Sequence, residues 1–182
     1  MRPCRIHITG ASGAGVTTLG RAVADRLASS HHDTDDYYWL PTSPPYGAKR
    51  PIPDRVRLMR EMFLDRSDWV LSGALESWGA PIESYLTLVV FIETPTETRL
   101  QRLRAREACH FGDHSVQPGG WRHAACEEFF EWAAHYEDGT REGRSRLRHE
   151  AWLAKLSCPV CRLDGSNPTA ALTNSVIGAL GR

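Results

Sequence analysis

The chain has 182 residues, and its 22 basic and 22 acidic side chains cancel to zero net charge. That length suits one domain with a substantial core, and the charge balance argues against a general basic coat for nucleic acid. No apolar window is long enough for a membrane span, the N-terminal residues carry no apolar signal core, and five cysteines, an odd number, fit reduced thiols, so a cytoplasmic location is expected.

Cys4 to Thr9 (CRIHIT) reads as a short buried strand. Glycines follow, then a helix from Thr17 to about Ser30, in which Leu19, Val23 and Leu27 recur on one face. A second strand ends near Asp33. The run PTSPPYGAKRPIP is loop by its Pro and Gly content, and Asp54 caps a helix carrying Val56, Met59 and Phe63. Trp69 to Ser72 is a third strand. Leu86 to Ile92 (LTLVVFI) is continuously apolar, as a central parallel strand must be. Thr94-Pro95 opens a helix to about Glu107. Residues 108–122 are expected as a mobile loop, 123–136 and 141–156 as helices, Pro159 to Leu163 as the last strand and Thr169 to Leu180 as the last helix. Strands alternating with helices predict an α/β fold: a doubly wound, three-layer, five-stranded parallel sheet.

The first strand ends in GASGAGVTT. Gly10, Ala11, Ser12, Gly13, Ala14, Gly15, Val16, Thr17 and Thr18 approach the phosphate-loop pattern G-x-x-x-x-G-K-S/T. The glycines permit positive φ and let backbone N–H groups face an anion. The helix start adds its dipole, and Thr17 stands where a Mg²⁺-binding hydroxyl is needed. Val16 stands where the pattern has lysine. The chain holds only two lysines, Lys49 and Lys155, against 20 arginines, so a replacement cation near the loop must be arginine. The bland alternative is a glycine-rich turn with no ligand.

Asp33, Asp35 and Asp36 follow the second strand, at the sheet end where ligands sit in such folds. One carboxylate can serve Mg²⁺ and another can orient an acceptor hydroxyl; a solvated acidic turn capping a helix is the alternative. Tyr37, Tyr38 and Trp39 are either an aromatic wall or edge-of-core residues. In TETRLQRLRARE, Arg99, Arg102 and Arg106 share a helix face. Arg141, Arg144, Arg146 and Arg148 form a second cluster. Arginines flanking a closing segment suit phosphoryl transfer; paired with Glu97, Glu107 and Glu142 they are ordinary solvated charges. Cys158 and Cys161 have C-x-x-C spacing with no second pair, and three residues apart on a strand they face opposite ways, so zinc is not expected there. Cys109, His110, His114, His123 and Cys126 match no standard finger.

The order of phosphate loop, D-x-D, Pro-rich segment and R-x-x-R resembles the small P-loop kinases, which include nucleoside monophosphate kinases such as adenylate kinase, and shikimate kinase. Asp33-Thr34-Asp35 is similar to the D-x-D of shikimate kinase, used near Mg²⁺ and the acceptor hydroxyl. Arg102 to Arg106 resembles the start of the kinase lid, and Leu163-Asp164-Gly165 the last-strand ending beside the adenine pocket. A nearer likeness is to bacterial adenylate-kinase-like or shikimate-kinase-like proteins with a GASG-x-G-V/T-TT loop followed by D-T-D-D-Y-Y-W.

The resemblance implies one kinase-like domain over residues 1–182, an acceptor-side insertion at 40–66 and a lid at 107–145. It implies ATP and Mg²⁺, with phosphoryl transfer to a small hydroxylated or phosphorylated acceptor. Residues Gly10 to Thr18 would hold phosphates, and Thr17 and Asp33 the metal. Asp35 would orient the acceptor, with Arg102, Arg106 and Arg144 supplying charge and Lys49, Arg50 and Arg55 meeting an anionic acceptor group. Two departures stand against this: Val16, and Ser72-Gly73-Ala74 where adenylate kinase has D-G, with Glu76 as a late substitute. They support an alternative, a nucleotide-binding regulatory protein without kinase activity. An interaction domain with no nucleotide affinity is a third reading.

Overall fold

Three apolar runs build the middle of one parallel sheet. The computed structural model describes residues 3–43 and 45–181; Pro44 of the expected loop and both ends of the expected domain lie outside them. Strands β1 (Cys4–Gly10), β2 (Ser30–Asp33), β3 (Asp68–Ser72), β4 (Leu88–Glu93) and β5 (Val160–Asp164) are ordered β2-β3-β1-β4-β5, every pair parallel. The three central strands are covered on both faces, which is why Ile6, Ile8, Val70, Leu71, Val89 and Val90 are wholly buried.

Alternate residues serve opposite faces. Ile6, Ile8, Val70, Val90 and Ile92 pack with Leu19 and Val23 of α1 (Val16–Arg26) and Leu172 and Val176 of α9 (Thr169–Ala179). On the other face Trp69, Leu71, Val89 and Phe91 pack with Met59 of α3 (Ile52–Met59), Phe63 of a π turn (Arg60–Leu64), Ile82 of α4 (Ala80–Glu83) and Trp152 of α8 (Arg146–Leu153). A small third core joins Leu103 of α5 (Thr96–Phe111) to Cys126, Phe130 and Ala133 of α7 (His123–Ala134).

Several boundaries differ from the sequence reading. The segment 108–122 is largely helical: α5 continues to Phe111, Gly112 turns the chain at φ 83°, and α6 (Asp113–Val116) follows. The helix expected from residue 141 starts at Arg146, because the Ser145 hydroxyl caps it by accepting from the Arg148 amide at 3.3 Å. Proline at the first turn starts α3 before Asp54. A short helix, α2 (Thr34–Tyr38), follows β2 directly. Among the described residues no helix is long and apolar enough to cross a membrane.

Candidate phosphate-binding site

The loop between β1 and α1 has two kinds of glycine. Gly13 and Gly15 adopt φ of 81° and 97°, where a side chain is strained. Gly10 does not take positive φ, as the sequence suggested it could. It is glycine because a Cβ there would lie 2.6 Å from the Ile92 carbonyl oxygen. The Ala14 amide donates to the Ala11 carbonyl at 3.0 Å, closing the turn over two buried alanines. Side chains from Thr94, just past β4, and from α5 then bond the loop's carbonyls. Arg99 Nη1 donates to Ser12 O at 3.3 Å, Thr94 Oγ1 to Ala14 O at 3.3 Å, and Arg102 Nη1 to Ala14 O at 3.4 Å. The amides of Val16, Thr17 and Thr18 form the first turn of α1, where no intrahelical acceptor exists. Val16 is half-buried and packs against the core under α1, so its position serves packing.

Thr17 and Asp33 are brought together. Thr17 Oγ1 donates to Asp33 Oδ2 at 2.8 Å, and Ser72 Oγ donates to the same oxygen at 3.3 Å. Asp33 and Ser72 are partners across the β2–β3 ladder, and His31 Nε2 lies 2.9 Å from the Ser72 hydroxyl. The other Asp33 oxygen accepts the Asp35 amide at 3.1 Å and caps α2. Asp33 therefore caps α2, as the acidic-turn reading expected, and its Oδ2 lies beside the loop on Thr17. Asp35 lies on the exposed side of α2. Loss of solvation, then the charge of Asp33, raises its carboxyl above the usual range, against the pull of Arg144 and Arg106. Asp36 is raised by the same two causes.

The arginines separate. Arg99 is fully buried, with its guanidinium spent on Thr94 O, Ser12 O, Ala133 O and Thr96 Oγ1. It braces the loop. Arg102 reaches across, bonding Ala14 O and, at 3.1 Å, Gly165 O, with Nη1 beside Gly15. Arg106 is not brought to the loop: it donates to Glu107 Oε1 at 3.0 Å and lies over the Phe129 ring at 5.7 Å. In the second cluster only Arg144 touches the loop, Nη1 donating to Ser12 Oγ at 3.3 Å. Arg141 pairs with Glu131, Arg146 with Glu93, and Arg148 donates to Gly143 O at 2.7 Å.

Sequence reasoning missed His149 and Tyr136. His149 is fully buried, its Nδ1 2.7 Å from Tyr136 Oη and its Nε2 3.5 Å from Glu76 Oε2. Glu76 Oε1 lies 3.4 Å from Arg144 Nε. Nothing in the local patterns of residues 76, 136 and 149 marks them as neighbours.

On the acceptor side, Asp35, Asp36, Trp39, Leu40, Tyr46 and Arg50 line an open recess of about 320 Å³. The aromatic run divides: Tyr37 is buried against Phe63, while Trp39 faces the recess. Arg55 is not available to an anion. It is buried 3.8 Å from the Tyr38 ring centre and donates to Arg50 O at 2.6 Å. Cys158 and Cys161 pack against opposite faces of the sheet.

No family model matches the chain. A structure of a gluconokinase from Sinorhizobium meliloti 1021 superposes with a TM-score of 0.57 at 17% identity, covering 100% of this chain and 94% of that one. Shikimate kinase from Acinetobacter baumannii in complex with shikimate gives 0.55 at 17%, covering 99% and 93%. At that identity the likeness is one of fold, that of the P-loop kinases. An adenylate kinase of Moorella thermoacetica is 30% identical over 129 residues, 58% of this chain and 59% of that protein. A Bacillus subtilis (strain 168) protein, "Uncharacterized protein YqaC", is 45% identical over 159 residues, 87% of each chain. The chain belongs to the family of that Bacillus subtilis protein.

Proposed function

We propose that the chain binds a nucleoside triphosphate with Mg²⁺ and transfers its terminal phosphoryl group to a small hydroxyl-bearing acceptor. One observation carries this reading: the Gly10–Thr18 loop, with Thr17 bonded to Asp33 on one side, is flanked by Arg102 and Arg144 on the other. The residues fit the groups they would hold. A hydroxyl and a carboxylate are hard oxygen donors suited to Mg²⁺. Arg144 Nε is buried without an aligned hydrogen-bond partner, and its guanidinium ends on the loop, an arrangement that suits an anion.

In this reading the loop amides and Ser12 hold phosphate oxygens. Arg102 and Arg144 supply the charge that Val16 cannot. Bound Mg-nucleotide contributes the reactive phosphorus and neutralises part of its own charge. Asp35, between the Thr17–Asp33 pair and the recess, orients the acceptor hydroxyl and takes its proton. Residues 40–66 form the acceptor side and 107–145 the lid; Arg106 bears on Asp35 through its charge while paired with Glu107, and reaches the phosphates only if the lid moves it. The kinase names carried by the structural neighbours support transfer to a small molecule.

Calorimetric titration of Mg-ATP tests the binding step, and release of ADP across a panel of acceptors tests the transfer. Micromolar binding with ADP release in the presence of one acceptor class is expected. Absence of binding overturns the reading. A second reading, nucleotide binding without transfer, is favoured by Val16 and by Ser72 in place of an aspartate. Binding without ADP release from any acceptor would select it.

A further inference from the structure

We infer that Glu76 is a positioning residue: from a buried site behind the loop it aims Arg144 at the phosphates, as part of the replacement for the missing lysine. This rests on the phosphate-binding reading above.

A lysine in the loop itself would be placed by the loop. Arg144 has no such support from its own backbone. It lies in the connection between α7 and α8, next to Gly143 at φ 97°, outside any helix or strand. A long side chain on such a segment loses much of its freedom when it binds an anion, and that loss weakens binding unless the side chain is already held.

Glu76 supplies the hold. Its side chain is only 8% exposed. Its backbone is fixed by its neighbours: Leu75 is fully buried, and the Leu75 carbonyl accepts from the Trp78 and Gly79 amides at 3.0 and 2.7 Å. A carboxylate so placed is costly unless it is paired. Its partners are Arg144 Nε at 3.4 Å and His149 Nε2 at 3.5 Å. His149 is fixed in turn by Tyr136 at 2.7 Å. The string Tyr136, His149, Glu76, Arg144 thus leads through buried side chains to the Ser12 hydroxyl. Burial opposes ionisation of Glu76, but the facing His149 and the charge of Arg144 prevail and hold its carboxyl at about 2. The anchor is therefore charged at neutral pH. The geometry is also open: neither Glu76 Oε2 nor Arg144 Nε makes an aligned hydrogen bond. The guanidinium is held at ion-pair distance, yet it can pivot onto a ligand.

The test is a double-mutant cycle read by Mg-ATP calorimetry, with thermal melting to confirm folding. Glu76→Gln and Arg144→Met should each weaken binding by at least about tenfold, and the double variant should bind no worse than Arg144→Met alone. Arg144→Lys needs no change in the buried anchor. It keeps the charge but loses the Nε that faces Glu76, so its affinity should fall nearly as far as that of Arg144→Met. Additive losses in the cycle, or native affinity in Arg144→Lys, overturn this inference alone. Failure of the native chain to bind Mg-ATP overturns both it and the nucleotide reading.

Discussion

The Thr17 hydroxyl donates to Asp33 Oδ2 at 2.8 Å, across 16 residues of sequence. Thr17 opens α1 at the carboxyl end of β1, and Asp33 ends β2 two places away in the sheet. Parallel strands put both ends on one side, so the hydroxyl and the carboxylate meet there. The two side chains are already joined by a hydrogen bond.

Asp33→Asn tests the metal role apart from the structural one. Asparagine caps a helix about as well as aspartate, so α2 should keep its cap and the melting temperature should change little. Mg²⁺ should tighten nucleotide binding to the native chain and leave binding to the variant almost unchanged. Titrations with and without Mg²⁺ check this. An equal Mg²⁺ effect in both proteins counts against Asp33 as a metal donor.

Asp35→Asn should separate turnover from affinity. A general base contributes roughly 10²–10⁴-fold, so ADP release with a responsive acceptor should fall by about 100-fold or more while Mg-ATP affinity stays within about threefold. Asp35 must be ionised to accept a proton, and its carboxyl titrates above the usual range. Native turnover should therefore fall as pH drops through that raised value, and the limb should vanish in the variant's residual rate. Equal losses of turnover and affinity would remove Asp35 from that role.

Strand β4 was legible because a strand covered on both faces reads as an apolar run, and Leu88 to Ile92 is one; β1 and β3 follow it with His7, Thr9 and Ser72 as buried polar exceptions. The loop was legible because its glycines have fixed geometric jobs, and Thr17 and Asp33 because motif offset and strand end locate them. Which arginine reaches the loop was not legible. Helical spacing put Arg99, Arg102 and Arg106 on one face, but Glu107 and Phe129 draw Arg106 away and burial turns Arg99 into a brace. Helix α6 escaped because it is one turn long with no apolar period. The Glu76–His149–Tyr136 string joins three segments whose local patterns carry no shared signal.

Val16→Lys restores the lysine of the motif in a site that has adapted to its absence. Val16 packs against the core, and Arg102 Nη1 already lies beside Gly15. A new ammonium would meet a like charge and remove an apolar contact. Mg-ATP affinity should rise by less than about tenfold, whereas Arg102→Met should lower it by at least that factor. Calorimetry on both variants checks this. No binding by the native chain with strong binding by Val16→Lys would mean a phosphate site without its cation, and the arginine replacement would be wrong.

Acid should unfold the protein in two windows with different owners. His7 is fully buried in β1; its Nδ1 donates to Leu71 O at 3.1 Å, and its Nε2 has no partner. Burial lowers its pKa from 6.5 to about 3. Between those values the unfolded chain binds a proton that the folded chain refuses, so stability falls as pH drops from 6.5 towards 3, by roughly 4–5 kcal/mol. Glu76 acts lower. Its carboxyl is depressed from 4.5 to about 2, so its contribution is complete above 4.5 and is lost as pH falls through 2, about 3 kcal/mol in all. Urea unfolding at successive pH values separates the two. His7→Asn should make the slope between pH 6.5 and 4.5 shallower whatever its absolute stability; the slope that remains belongs to His31 and His32, whose half-buried rings are also depressed by burial. Glu76→Gln should leave that upper slope intact and flatten only the part below 4.5. An upper slope unchanged in His7→Asn would mean that other groups drive the acid transition.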